Sequence, residues 1–276
     1  MRLVRKAPCP DLAALIPDND CRYMVLTRIL RTPCRMTVTD DSNVILCHSA
    51  YPYPIWYWSK GEATDEEVDA VWQLLQPEIG KWDTVTEAGN PFSVNLLEDA
   101  AMHMIAHAKK DNVSLQVTRR LNAYECNVLV APEKEVGGSF HICTEEDVDA
   151  AVELLERFHE DTGLDKADRT IYRQKAEVHI YAGRLFFWKN EAGVPVAMCA
   201  ASDNGNGSEA LTNVVTMPEH RRKGYASHLV ATVTQRVLDG GEWANLYADA
   251  DYLPSNACYE KIGYIRMGTI CTIGLV

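Results

Sequence analysis

The sequence predicts two mixed α/β domains, 1–137 and 138–276, and three observations carry that prediction. Ala131-Pro132-Glu133-Lys134-Glu135-Val136-Gly137-Gly138-Ser139 is polar, holds a proline and a glycine pair, and separates two apolar-patterned regions, as a linker does. After it, strand-like and helix-like runs follow in the order strand, helix, three strands, helix, strand, helix, strand. Before it, strand alternation is mixed with capped helical periodicity, and 276 residues suffice for two ordinary domains.

In the first half, Val44 to Cys47 and Ile55 to Trp58 read as strands joined by a proline-rich turn. Thr64-x-x-Glu67 is a capping box, opening a helix to about Leu75. A strand is expected near Thr84 to Glu87, a helix over Leu96 to Ala108, and one long strand or two over Ser114 to Asn127. In the second half, Phe140 to Cys143 is a strand and Thr144-Glu145-Glu146-Asp147 a capped helix start. Val148, Val152, Leu155 and Phe158 keep helical spacing behind it. Strands follow at Leu185–Trp188, Val194–Ala201 and Leu211–Met217. A helix spans about Lys223 to Leu238, Asn245–Ala248 is a strand, Ser255–Ile262 a short helix, and Tyr264 to Val276 closes the sheet.

Composition narrows the function classes. Apolar residues are 47% and charged residues 24%, the balance of a chain that folds around a core. No run of 18 apolar residues occurs, and Met1 to Lys6 lacks the apolar stretch of a signal peptide, so no membrane association and a cytoplasmic location are expected. A net charge of −12 opposes binding to phosphate backbones, so nucleic acid is not an expected partner. Nine scattered cysteines without a C-x-x-C pair argue against a disulfide framework or a zinc site.

The chemistry concentrates where strand 211–217 runs through Pro218-Glu219-His220-Arg221-Arg222-Lys223-Gly224-Tyr225-Ala226-Ser227 into a helix. The first amides of a helix lack internal partners and carry partial positive charge, so an anion can accept their hydrogen bonds. Gly224 and Ala226 permit close approach, and Arg221, Arg222 and Lys223 add positive charge. An exposed basic helix start has the same composition. A second constellation, Leu253 to Tyr264, places Asn256 and Tyr259 three residues apart on one helix face, with Ser255 as N-cap and Gly263 as stop. It also reads as a capped surface helix with a half-buried tyrosine.

In this order the two constellations resemble the GNAT superfamily of acetyltransferases. The [QR]-x-x-G-x-[GA] signature is filled by Arg221-x-x-Gly224-x-Ala226, preceded by Val214-Val215-Thr216-Met217-Pro218 and followed by Asn256-x-x-Tyr259-x-x-x-Gly263-Tyr264. The resemblance covers roughly residues 139–276 and is greatest to the group with a degenerate N-terminal partner domain. It implies a splayed mixed central sheet flanked by helices, preceded by a second α/β domain, itself GNAT-like or otherwise mixed, without a coenzyme site. It further implies acetyl-CoA as cosubstrate and no metal. Main-chain groups of Val214, Val215 and Thr216 would hold the pantetheine arm and acetyl carbonyl. Arg221, Arg222, Lys223, Gly224, Tyr225, Ala226 and Ser227 would hold the pyrophosphate, Asn256 the coenzyme arm, and Tyr259 would protonate the leaving thiolate. A primary amine, on a small molecule or a peptide, would attack the thioester directly, on a monomer or homodimer.

The pattern departs at the base. Some family members carry a glutamate four residues before the first coenzyme-contacting position, which here is Ala210. Glu209, Asp249 and Asp251, or water, remain as candidates, each carboxylate also reading as ordinary solvated charge. That gap leaves a catalytically silent acetyl-CoA-binding sensor or scaffold as an alternative to an enzyme, and longer acyl-CoAs as alternative donors. Gly205-Asn206-Gly207 reads as a hairpin turn. His103 and His107 share a helix face without the glutamate of a zinc motif. Cys258 reads as a core thiol. Tyr51, Tyr53, Trp56, Tyr57 and Trp58 form an aromatic cluster that suits a strand core, a domain contact or a pocket wall.

Overall fold

The structure is a computed structural model and describes residues 3–5, 10–17, 20–85, 91–164 and 166–275. The chain forms β1 (Val4–Arg5), α1 (Met24–Ile29), β2 (Met36–Thr39), β3 (Val44–His48), β4 (Ile55–Ser59), α2 (Asp65–Val85), β5 (Ser93–Leu97), α3 (Glu98–Lys110) and β6 (Leu115–Cys126). It continues through β7 (Ser139–Ile142), α4 (Val148–Thr162), α5 (Arg169–Tyr181), β8 (Leu185–Lys189), β9 (Pro195–Asp203), β10 (Ser208–Thr216), α6 (Tyr225–Asp239), β11 (Trp243–Asp249), α7 (Leu253–Lys261) and β12 (Ile265–Leu275). Among the described residues no helix is long and apolar enough to cross a membrane, and no disulfide joins the cysteines.

Two compact units result. One holds residues up to 123, 248–253 and 267 onward; the other holds 124–247 and 254–266. The chain therefore first changes unit at 123/124, inside the unbroken strand β6, and not near 137, where composition places a boundary.

In the first unit the strands run β1-β2-β3-β4-β5-β12-β6. The first four are antiparallel neighbours, and β5 is parallel to β4, with Ile55 opposite Val94 and Trp56 opposite Asn95. Alternate residues Val44, Leu46, Ile55, Tyr57, Val94 and Leu96 face a core completed by Trp72, Leu75 and Trp82 of α2 and Met104 of α3. The Thr64–Glu67 capping box opens α2 as expected, the Thr64 amide donating to Glu67 at 2.8 Å. The helix then continues through Pro77 to Val85 rather than ending at Leu75. Trp82, fully buried against His48 and Phe92, holds the extra turns despite the lost proline amide. The strand expected at Thr84–Glu87 is thereby replaced: Thr84 and Val85 end the helix, and Glu87 lies outside the described residues. Leu96 belongs to β5, so α3 starts two residues later than expected.

The second unit orders its strands β11-β10-β9-β8-β7. β7 to β10 are antiparallel neighbours and β11 is parallel to β10. Leu185, Phe187, Met198, Ala200 and Val215 turn toward Val148, Ala151, Val152 and Leu155 of α4 and Tyr172 and Ala176 of α5. Thr144 and Asp147 form a reciprocal capping box before α4, and Gly163, at φ 64°, stops it. Helix α5 was not legible: it buries only Tyr172 and Ala176, too few positions to draw a 3.6-residue period. Both units share one connection pattern, four antiparallel strands, a helix, a parallel strand and another helix.

The polar stretch 131–139 is tied to the second unit. The Val130 amide donates to the Ile262 carbonyl at 3.0 Å, and the Trp188 indole to the Gly137 carbonyl at 3.0 Å. A ring nitrogen of His228 meets the Lys134 carbonyl at 2.5 Å. What reads as a linker is a strap fastened at Lys134 and Gly137 and anchored just ahead of its start at Val130.

Candidate functional site

Strand β10 supplies the first part of the site. Its parallel ladder with β11 runs from Ser208 opposite Trp243 to Leu211 opposite Leu246 and stops there. Beyond it, Thr212 to Thr216 keep only β9, so one edge of that stretch is released from strand pairing. On the β9 side Thr212 lies opposite Ala200 and Val215 opposite Met198, so three steps on β10 span two on β9. This bulge is made at Asn213, whose φ of 52° is in the left-handed region that asparagine tolerates better than most residues. The splay and the bulge fall at Val214, Val215 and Thr216, the residues expected to offer main-chain groups to a pantetheine arm. Asn213 was missed by sequence reasoning; an asparagine inside a β-patterned run was the available signal.

The turn after β10 supplies the second part. Arg222 and Gly224 are both left-handed, at φ 59° and 95°, on either side of Lys223, and α6 begins at Tyr225. Such a turn ahead of a helix is the kind of backbone in which successive amides can converge on an anion. The three basic residues divide in role. Arg221 donates to the Thr216 carbonyl at 3.0 Å and pairs with Asp161 of α4, so its guanidinium fastens the turn to the end of β10. Arg222 and Lys223 are exposed and have no acidic partner among the described residues. A Cβ at Gly224 would come within 2.8 Å of Val136 of the strap, so this glycine also makes room for the strap.

Helix α7 supplies the third part. Tyr259 is 7% exposed, its ring beside those of Tyr124 and Tyr264 at 6.2 and 5.9 Å. Burial drives its phenol far above the ordinary tyrosine range, so the proton stays on the oxygen. Asn256 is buried too, and its Oδ1 accepts from the Tyr124 hydroxyl at 2.8 Å. Ser227 of α6 and the half-buried Cys258 of α7 touch at 3.1 Å, and burial raises the Cys258 thiol above its ordinary range.

The candidate bases fare differently. Glu209 accepts from Arg184 Nη2 at 2.9 Å and Nε at 3.2 Å, so its charge is committed to an ion pair. Asp249 and Asp251 belong to the first unit, where the Asp249 carboxylate accepts from the Asp251 amide at 2.9 Å. His103 and His107 face Asp65 and Asp69 of α2, at 3.4 and 3.3 Å. Among the described residues no three His, Cys, Asp or Glu side chains gather as a metal site. Trp56, Tyr57 and Trp58 are buried in the first unit, Tyr57 within its main core, whereas Tyr53 is exposed.

Residues 148–264 match the sequence model of the Acetyltransferase (GNAT) family. No curated protein matches the chain significantly. Among solved structures, a GCN5-related N-acetyltransferase from Sphaerobacter thermophilus is similar at a TM-score of 0.69 and 13% identity, over 98% of this chain and 94% of that one. A GNAT-family acetyltransferase from Colwellia psychrerythraea gives 0.65 and 12%, over 100% of both chains. A tandem GNAT protein from the clavulanic acid biosynthesis pathway gives 0.60 and 13%, over 99% and 98%. At such identities these likenesses establish the fold, a mixed sheet flanked by helices as in GNAT proteins. Over residues 148–264 the sequence is similar to the GNAT acetyltransferase family.

Proposed function

We propose that the chain is an acetyl-CoA-dependent N-acetyltransferase whose second unit binds the coenzyme and transfers its acetyl group to a primary amine of a small molecule or peptide. The coincidence of splay, bulge and left-handed turn along 211–227 carries this reading, since together they place released main-chain groups ahead of an anion-binding helix start. Acetyl-CoA, when bound, supplies an acetyl thioester. Val214, Val215 and Thr216 would orient its arm and polarise the carbonyl through main-chain donors. Arg222, Lys223 and the amides through Gly224, Tyr225, Ala226 and Ser227 would hold the pyrophosphate, with Arg221 keeping the turn in shape. Asn256 would contact the arm, and Tyr259 keeps a proton ready for the departing sulfur. Removal of a proton from the amine falls to water, because Glu209 is paired with Arg184.

The first unit, in this reading, is a GNAT-like partner that binds no coenzyme. It repeats the connection pattern, but the helix after its fourth strand opens with Asp65, Glu66 and Glu67, which repel phosphate, and Glu67 already caps the Thr64 amide. A catalytically silent acetyl-CoA-binding module is the second reading, favoured by the commitment of Glu209. Titration of CoA into the intact chain, followed by an amine-panel assay for released thiol, separates them. One CoA per chain with turnover on some amine supports the enzyme, and one CoA without turnover supports the module. No CoA binding overturns both, and two sites of similar affinity overturn the coenzyme-free assignment of the first unit.

A further inference from the structure

Tyr124, at the end of β6, lies outside every motif that points to the site, yet it reaches α7 from below. Its side chain is fully buried, and its hydroxyl lies 2.8 Å from Asn256 Oδ1 and 3.0 Å from Glu260 Oε1. A phenol has one proton, and both neighbours are acceptors, so that proton is shared between them. An amide whose oxygen accepts from Tyr124 has its NH2 turned away from Tyr124. A buried asparagine with nothing to distinguish its two ends could present either oxygen or nitrogen to a ligand; a fixed donor at one end removes the choice. Tyr124 also lies beside the ring of Tyr259, so one side chain touches both residues that α7 brings to the site.

Resting on the coenzyme reading above, we propose that Tyr124 is a positioning residue for the acyl-CoA site: it fixes the Asn256 amide so that the NH2 group donates to a carbonyl oxygen of the coenzyme's amide-bearing arm. Glu260, on the next turn of the same helix, limits this hold by competing for the phenolic proton.

A double-mutant cycle on CoA affinity, read by calorimetry, tests the assignment. Tyr124→Phe keeps the ring and removes the donor, and it should weaken CoA binding about tenfold, the upper end of what one hydrogen bond contributes. Asn256→Ala should weaken it at least as much. In the Asn256→Ala background, Tyr124→Phe should have no further effect, because it acts only through that amide. An equal loss in both backgrounds would show a general structural role and overturn the proposal, as would wild-type affinity in Tyr124→Phe. Asn256→Asp provides a variant that leaves Tyr124 intact. The carboxylate still accepts from the phenol but has no NH2, so CoA affinity should fall tenfold or more; unchanged affinity overturns the donor assignment. Wild-type protein that fails to bind CoA at all would instead refute the coenzyme reading, and the role of Tyr124 with it.

Discussion

Replacing Gly224 by alanine separates two demands that fall on one atom. The residue sits at φ 95°, where an L side chain is strained, and a Cβ there would lie 2.8 Å from Val136 Cγ1. The backbone strain costs about 1–2 kcal/mol. The contact adds to this unless the Val136 side chain moves. For units of this size 1 kcal/mol lowers the melting temperature by about 2–4 °C, so Gly224→Ala should melt roughly 2–8 °C lower. The turn can relieve its strain only by rotating the amides that would hold the pyrophosphate. CoA affinity should therefore fall at least about tenfold, equivalent to 1.4 kcal/mol. Trimming the neighbour distinguishes the two costs. In a Val136→Ala background the contact disappears while the φ does not change, so part of the melting temperature should return and CoA affinity should stay low. Thermal scans with and without CoA read both quantities. Wild-type CoA affinity in Gly224→Ala would refute the argument that this left-handed turn forms the anion site.

Three other perturbations address the chemistry and its frame. Tyr259→Phe should lower kcat about 100-fold with little change in CoA affinity, measured by thiol release on an amine that turns over; unchanged kcat would assign the proton to water. Glu209→Gln should leave turnover within about twofold while costing no more than about 1 kcal/mol in denaturant unfolding, because it weakens the Arg184 pair and touches no reacting group; a collapse of kcat with a shifted pH profile would make it the base. Burial acts to raise the Asp147 carboxyl, but hydrogen bonds from His141, the Thr144 amide and Lys189 outweigh it and hold the group at about 2, below its ordinary 3.8. A lowered carboxylate stabilises the fold fully above its ordinary value and loses that contribution as pH falls toward 2, so Asp147→Asn should be less stable by on the order of 2 kcal/mol at neutral pH and should converge with wild type in acid.

The site was legible to the extent that it is local. Gly224, Ala226 and the basic run stand within six residues of each other, and Asn256 and Tyr259 on one short helix, so spacing alone reveals them. What completes the site comes from far along the chain. Tyr124 precedes its partner Asn256 by 132 positions, and Val136 meets Gly224 only because the strap folds back over the turn. No periodicity encodes such pairs. Elements failed for equally specific reasons. Helix α2 passes Pro77 because Trp82 gains more from burial than the lost amide costs, and α5 shows too few buried positions to be seen. The polar composition of 131–139 describes its side chains correctly but misleads about its backbone, whose carbonyls are held by Trp188 and His228.

The path of the chain between its two units has a bearing on how such a protein can be divided. It changes unit at 123/124, 247/248, 253/254 and 266/267. A gene cut in the polar stretch would strand β12 on the wrong piece, away from β5, its antiparallel neighbour from Ile270–Leu97 to Gly274–Ser93. Ile270, Cys271 and Ile273, all buried, would then form an apolar edge open to any other strand, while the first piece would lack a strand from the interior of its sheet. The two halves of the sequence are thus not two heritable parts. Point changes and loop insertions can tune either unit, but recombination that moves one half without the other must break the fold it borrows from.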